Sequence, residues 1–376
     1  MSMISHPSKL PFLSDRVLLA VAAILVSFGV LMIYSTTGVA AQERFGDAYF
    51  FVKRQGVAAL LGAVLLVLCS YVRIERLQRF TALFFFLSVL LLAVVLIPGV
   101  GVSAGGARRW FDLGVARFQP GELAKLLMVL FLAGFLARNE QHLQDFKIGI
   151  LKPMLCVFAV AGLLLLQPDF GSAAIVAAVV LAMMFVAGVR LKYFAIGALL
   201  LAASAAVMVL VSPYRTSRVV SFLFPWNDPS GKGYQLIQSL IAVGSGKVSG
   251  VGLGESQQKL LFLPAAHTDF IFAVVAEELG LVGCILLVAL FVLLLWQGIL
   301  LAGRFADDTY RFSLAIGLTL LIVLPALLNV GIVLGLLPTK GMVLPLVSYG
   351  GSSLIVSLMV VGLLLSLSRS LVEQAR

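Results

Sequence analysis

Residues 279–302 read LGLVGCILLVALFVLLLWQGILLA, a run of 24 residues without a charge. Wound as a helix at ~1.5 Å per residue, it covers about 36 Å, enough to cross the ~30 Å hydrocarbon core of a bilayer. Comparable runs recur along the whole chain of 376 residues, which is 61% hydrophobic and 12% charged, with a mean hydropathy of +1.10. A soluble domain of this size needs far more polar surface. The strands of a membrane barrel would be shorter and would alternate. The sequence therefore predicts an all-α polytopic membrane protein, with residues 1–376 as a single integral membrane domain. Ten spans are expected, at 17–34, 55–72, 80–97, 119–137, 153–167, 172–188, 193–211, 270–302, 312–336 and 350–367.

Orientation follows from Lys and Arg in the short loops. One set of loops, with both termini, holds 14 of them: Lys9, Arg16, Arg73, Arg76, Arg79, Arg138, Lys147, Lys152, Arg190, Lys192, Arg304, Arg311, Arg369 and Arg376. The opposite short loops hold 7, so the first set is expected in the cytoplasm. The run after Val17 ends near GVAAQ (38–42), which could mimic a signal-peptide cleavage site, but the run is long for a cleaved segment. The net charge of +10 is spread over many loops, which suits anionic lipid headgroups rather than a nucleic-acid groove. Cys69, Cys156 and Cys284 all fall inside apolar runs, so no disulfide framework is implied. The three His are far apart, and none has a metal-ligand spacing.

The outer loops carry the polar chemistry. Loop 98–118 reads PGVGVSAGGARRWFDLGVARF, and loop 212–268 has 57 residues. A connection that long is usually functional or disordered, and this one contains FLFPW and YQLIQSLIAVG, which are not disordered compositions. Leu236, Ile237, Leu240 and Ile241 have helical spacing, so a short interfacial or re-entrant helix is expected there. GSGKVS (244–249) imitates a phosphate loop, but Ile241 and Val248 stand where that motif needs Gly and Ser or Thr.

Ionisable residues gather at the outer mouths of the spans. LPAAHTDFIF (263–272) places His267 and Asp269 before the long run, with Glu277 and Glu278 at its edge. The plain alternative is capping: Thr268 or Asp269 could cap the helix, and acids in a first turn complement its dipole. QPGELAK (119–125) and QPDFGS (167–172) repeat the pattern with Pro120, Glu122 and Lys125, and with Pro168 and Asp169. Capping accounts for the acids there, but Lys125 lies one turn inside a span and needs a partner, with Glu122 the nearest. In LPTKGMVLPLVSYGGSSL (337–354), Lys340 precedes a Gly-rich turn where Ser348, Ser352 and Ser353 surround a helix N-terminus, a geometry that suits an anion as well as a plain tight turn. Arg108 and Arg109 fit a phosphorylated substrate or lipid headgroups.

One reaction needs only this inventory. In glycosyl transfer from a lipid-linked diphosphate sugar the donor brings its own leaving group. Cations and helix N-termini absorb the developing charge, and one carboxylate serves as general base. A lipid flippase would need a similar charged cleft at membrane depth. The segments GGARRWFDLG, FQPGELAKL, QPDFGSA, PWNDPSGKGYQLIQSLIAVGSG, LPAAHTDFIFAVVAEELG and LPTKGMVLPLVSYGGSS, in that order, resemble the SEDS family (shape, elongation, division, sporulation) over nearly the whole chain. PWNDP and the Lys of LPTKG look like its cell-division, FtsW-like branch. Gly121 and the GKVSGVGLG stretch depart from the usual pattern. The resemblance implies a peptidoglycan glycosyltransferase of the bacterial inner membrane. It would polymerise lipid II at the outer face during division, by inverting transfer with release of polyprenyl diphosphate. It implies that Asp269 is the catalytic base. Arg108, Arg109, Glu122, Lys125, Asp169, His267, Glu277, Lys340 and Ser352 would line the substrate site. It also implies a class B penicillin-binding protein as transpeptidase partner, with other division proteins. The rival readings are a lipid II flippase and a non-catalytic division scaffold. No resident cofactor is implied, and a divalent cation at the diphosphate stays open.

Overall fold

The computed structural model describes residues 11–104, 106–112, 114, 117–259 and 262–374. Lys9 and Arg376, counted above by charge, lie outside the described residues. The chain opens with α1 (Pro11–Phe45) and α2 (Phe50–Ser70), followed by a short α3 (Ile74–Arg79) and α4 (Thr81–Val94). Three strands follow, β1 (Gly101–Ala104), β2 (Ala107–Asp112) and β3 (Arg117–Phe118). Then come α5 (Pro120–Arg138), α6 (Lys152–Leu166), α7 (Phe170–Val186) and α8 (Leu191–Val211). The long loop contains α9 (Pro213–Leu223) and α10 (Tyr234–Gly246), and α11 (Ile271–Gly303), α12 (Thr309–Val333) and α13 (Gly351–Gln374) complete the chain.

An apolar helix occupies each expected span. Eight are long and apolar enough to cross a membrane, counting the turn at Lys147 with α6, and α4 and α7 are shorter at 14 and 17 residues. The first helix is longer than expected, at 35 residues, and GVAAQ lies inside it. The all-α expectation needs one addition: the loop before α5 folds into an antiparallel sheet in the order β1-β2-β3, pairing Val102 with Trp110 and Phe111 with Phe118. These strands are short and follow Gly-rich sequence, so they carry no alternating signal that a hydropathy reading could find.

Helices α5 and α12 form the centre. α5 packs against α4, α7, α12 and α13, and α12 also touches α11. With lipid outside and no hydrophobic drive between helices, close approach depends on small side chains. A Cβ at Gly134 of α5 would collide with Thr81 Oγ1 of α4. α8 sits at the edge, against α7, with most of its side chains turned outward. The loops grouped by charge meet at one end of the bundle. Arg311 pairs with Glu75, Arg138 Nη2 donates to Gln78 O at 2.6 Å, and Gln144 Nε2 donates to Gly188 O at 2.6 Å.

The helix expected near 236–241 is α10. Its buried face carries Leu236, Ile237 and Ala242, and Ser239 Oγ donates to Val333 O at 2.8 Å, while Ile241 faces outward. The phosphate-loop mimic ends this helix at Gly246, whereas a true phosphate loop opens one.

Residues 247–252 instead dock into a break in α11. Gly280 has φ 64° and ψ −161°, backbone that only glycine adopts readily. The carbonyls of Glu277 and Glu278 accept from Val251 N and Gly252 N, each at 3.0 Å, and Leu281 N donates to Lys247 O at 3.0 Å. The loop therefore replaces the backbone hydrogen bonds that the break removes. Glu278 is fully buried there, paired with Lys259 Nζ at 2.9 Å and accepting from Ser35 Oγ at 2.7 Å.

Gly280→Ala combines a left-handed φ with a collision against Gly250 N and Val248 O. The conformation alone should cost about 1–3 kcal/mol, read as a lower thermal midpoint of the detergent-solubilised protein. An unchanged midpoint would contradict the break. Lys259→Met removes the ion-pair partner of buried Glu278, an expected loss of about 3–5 kcal/mol. Adding Glu278→Gln should recover most of that loss in the same melt.

Candidate active site

Helices α2, α5, α7, α11 and α13 all start at the end that bears the long loops. Their first turns bring the positive pole of the helix dipole to that end. The sequence-predicted residues sit on these starts and on the segments between them.

Asp269 stands two residues before α11. The capping alternative does not hold here. The N-cap position belongs to Phe270, with no side-chain cap, and Thr268 Oγ1 donates to Ala265 O at 3.2 Å. The Asp269 carboxylate lies against Gly341, where an added Cβ would come within 2.9 Å of Oδ2. Burial pushes this carboxyl up to about 6, and the Arg109 and Arg218 guanidinium groups nearby pull it the other way. Asp269 is only partly covered, so it stays reachable.

Arg108 and Arg109 separate because neighbours on a strand point to opposite faces. Arg108 Nη1 donates to Leu96 O at 3.3 Å, which ties β2 to the segment after α4. Arg109 faces the other way, close enough to act on both Asp269 and Lys340.

Lys340 Nζ is buried without a hydrogen-bond partner among the described residues, 5.4 Å from the centre of the Phe170 ring. Burial pushes the amine down to about 7; Asp169 opposes this, while Arg218, Arg109 and Lys125 add to it. Lys125 has the partner the sequence assigned it, Glu122 Oε1 at 2.8 Å, with both side chains nearly buried.

Asp169 does cap. Its carboxylate accepts from Ser172 N at 3.1 Å and Ser172 Oγ at 2.8 Å, and from Gln119 Nε2 at 3.2 Å, which links the starts of α7 and α5. Ser352 Oγ accepts from Gln119 N at 2.9 Å, which fixes the entry to α5 against α13.

Two predicted residues serve the frame. His267 packs its ring 5.2 Å from that of Phe51 and 5.7 Å from that of Tyr349, and burial lowers its basicity. Glu277 is not brought into the cluster. Its carboxylate is held by Ser256 Oγ and by Gln257 N at 3.2 Å, two helical turns beyond Asp269.

Some members went unnoticed in the sequence. Arg218 on α9 lies in the long loop, in the stretch YRTSRVV, where nothing but loop length had signalled function. Gln55 and Asn329 are polar residues inside apolar spans, the same signal that singled out Lys125. Gln55 Nε2 donates to Ser348 O at 3.2 Å, and its Oε1 accepts from Gly350 N at 3.3 Å, so it holds the turn before α13. Among the described residues no three His, Cys, Asp or Glu side chains gather as metal ligands. Among the described residues, Arg109, Arg218 and Lys125 act on Asp269 or Lys340 as cations beside the Lys340 amine itself. With the helix starts, they suit a diphosphate beside a basic carboxylate.

Comparison with known proteins gives the family. The family model for FtsW/RodA/SpoVE cell cycle proteins matches residues 15–373. A probable peptidoglycan glycosyltransferase FtsW from Thioalkalivibrio sulfidiphilus is 44% identical over 351 residues, 93% of this chain and 88% of that one. The stage V sporulation protein E of Bacillus subtilis is 40% identical over 355 residues, covering 94% and 97% of the two chains. Among solved structures, a chain from a peptidoglycan synthase complex that coordinates polymerization and crosslinking superposes with a TM-score of 0.75 at 36% identity, covering 94% and 97%. The rod shape determining protein RodA of Thermus thermophilus superposes with a TM-score of 0.68 at 31% identity, covering 94% and 96%. The chain belongs to the FtsW/RodA/SpoVE family of multi-pass membrane proteins.

Proposed function

We propose that this chain is a peptidoglycan glycosyltransferase that polymerises lipid II at the outer face of the cytoplasmic membrane. It works as one membrane domain, with both termini in the cytoplasm, at the division septum beside a class B penicillin-binding protein. The observation that carries the reading is the Asp269 carboxylate, raised to about 6 and set beside Arg109 and Arg218, in a chain of this family.

The steps follow from the site. Asp269 accepts the proton of the acceptor sugar's 4-hydroxyl. The freed oxygen attacks the anomeric carbon of the donor, and the bond from that carbon to the diphosphate breaks. Polyprenyl diphosphate leaves with the electron pair, and the single displacement inverts the centre. A carboxylate near 6 is better matched to proton abstraction at neutral pH than an ordinary one, while it remains mostly ionised there. Arg109 and Arg218 flank the reacting groups, and Lys340 offers an amine that the diphosphate's charge would draw back to the protonated state. Glu122 and Asp169 support the framework, by pairing Lys125 and by capping α7.

The test uses purified protein with fluorescent lipid II and its cognate transpeptidase. Asp269→Asn should lower glycan polymer formation at least 100-fold, in the range of a lost general base. Polymer yield unchanged in that variant would contradict the assignment, and would favour the flippase or scaffold readings. Turnover should also depend on pH in one direction. The base works deprotonated, so the rate is full well above pH 6 and falls as pH drops through about 6. Arg218→Ala should cost about 100- to 1,000-fold in the same assay, the range for a lost transition-state donor.

A further inference from the structure

Asn329 sits one turn before the end of α12 and is buried at 1% exposure. Its Nδ2 donates to Asp269 O at 2.7 Å and also to Met342 O. One amide nitrogen carries two hydrogens, and here they reach two different chain segments. The first segment carries Asp269. The second carries Lys340, two residues before Met342.

Other bonds join the same two segments further along. Tyr349 N donates to His267 O at 3.0 Å, and Ser348 Oγ donates to Thr268 O at 2.6 Å. Those contacts fix residues 267 and 268 against the turn before α13. Asn329 reaches residue 269 itself and ties it toward residue 342. Between them lies Gly341, whose backbone the Asp269 carboxylate touches.

A side chain kept only for packing would be apolar here. Asn329 Oδ1 is buried with no hydrogen-bond partner among the described residues. An unpaired buried amide oxygen costs stability that leucine would not. The two donated bonds are the evident return, and both end on the segments that carry the site.

We propose that Asn329 is a positioning residue for glycosyl transfer, setting the depth and separation of the Asp269 and Lys340 segments through its two amide hydrogens. This rests on Asp269 being the general base. The charged groups that act on Asp269 are Arg109 from β2 and Arg218 from α9; His267, two residues before it, packs on Tyr349, and Lys340 on the adjoining segment lies by Asp169. Without the amide, the Asp269 segment moves outward into water and its carboxyl falls back toward the ordinary value.

The experiment measures lipid II polymerisation against pH for Asn329→Leu in the complex with the transpeptidase, per molecule of folded protein. Asp269→Asn runs alongside. The expected result is at least a tenfold lower rate at neutral pH, with the acid limb moved down by about one pH unit or more from near 6. A rate within twofold of the parent overturns the inference, as does a lower rate with the acid limb unmoved. If the leucine variant does not fold, Asn329→Ser, which keeps one donor hydrogen, is judged by the same two readouts. An active Asp269→Asn protein defeats the underlying assignment, whereas an inactive one beside a normal Asn329→Leu profile defeats only the positioning role.

Discussion

Asp269 and Lys340 are both taken partly out of water, on adjoining segments, with Arg109 and Arg218 near the first and Asp169 near the second. Desolvation disfavours the charged form of each, which is why the carboxyl rises to about 6 and the amine drops to about 7. An arrangement of that kind persists only if the surrounding fold holds it. Three buried polar side chains do so: Asn329 from α12, Gln55 from α2, and Ser348 in the turn itself. Each spends its hydrogen bonds on backbone carbonyls or amides of irregular segments. Inside a bilayer such segments survive only when protein groups satisfy them.

Charge balance points to the kind of substrate. Glu122 neutralises Lys125, and the oxygens of Asp169 are occupied by the α7 cap and by Gln119. Arg109, Arg218 and Lys340 then outnumber Asp269 and Asp169, and the helix starts add partial positive charge. A site that is cationic in sum and holds one basic carboxylate matches an anionic leaving group and a hydroxyl nucleophile. The break in α11 serves a different purpose. It lets residues 247–252 enter the bundle beside Glu277 and Glu278, and so anchors the loop that leads toward Asp269.

Much of this was legible in the sequence, for identifiable reasons. The spans follow from uninterrupted apolar runs, and the common end of the basic loops follows from charge asymmetry. Lys125 and its partner Glu122 stood out because a cation within a span demands compensation. Asp169 and Asp269 looked alike in sequence, each an acid before a span, yet one caps its helix and the other does not. That difference depends on where the helix starts, at Phe170 directly after Asp169 and at Ile271 two residues after Asp269. The same limit hid the division of labour between Arg108 and Arg109. It appears only once β2 is known to be a strand, and short strands in a Gly-rich loop leave no period to read. Arg218 was out of reach because its nearness to Asp269 and Lys340 depends on where α9 stands, a long-range fact with no local signature.

The proposed transfer turns on placement: a single carboxylate meets the acceptor hydroxyl while arginine and lysine hold the diphosphate. The most direct measurement is a structure of the Asp269→Asn protein with bound lipid II in a bilayer mimetic. The expected result is an acceptor hydroxyl within hydrogen-bonding reach of residue 269, about 2.6–3.2 Å between heavy atoms, with the diphosphate against Arg109, Arg218 or Lys340. Lipid II bound with its diphosphate remote from all three cations, and its sugars out of reach of residue 269, would contradict it.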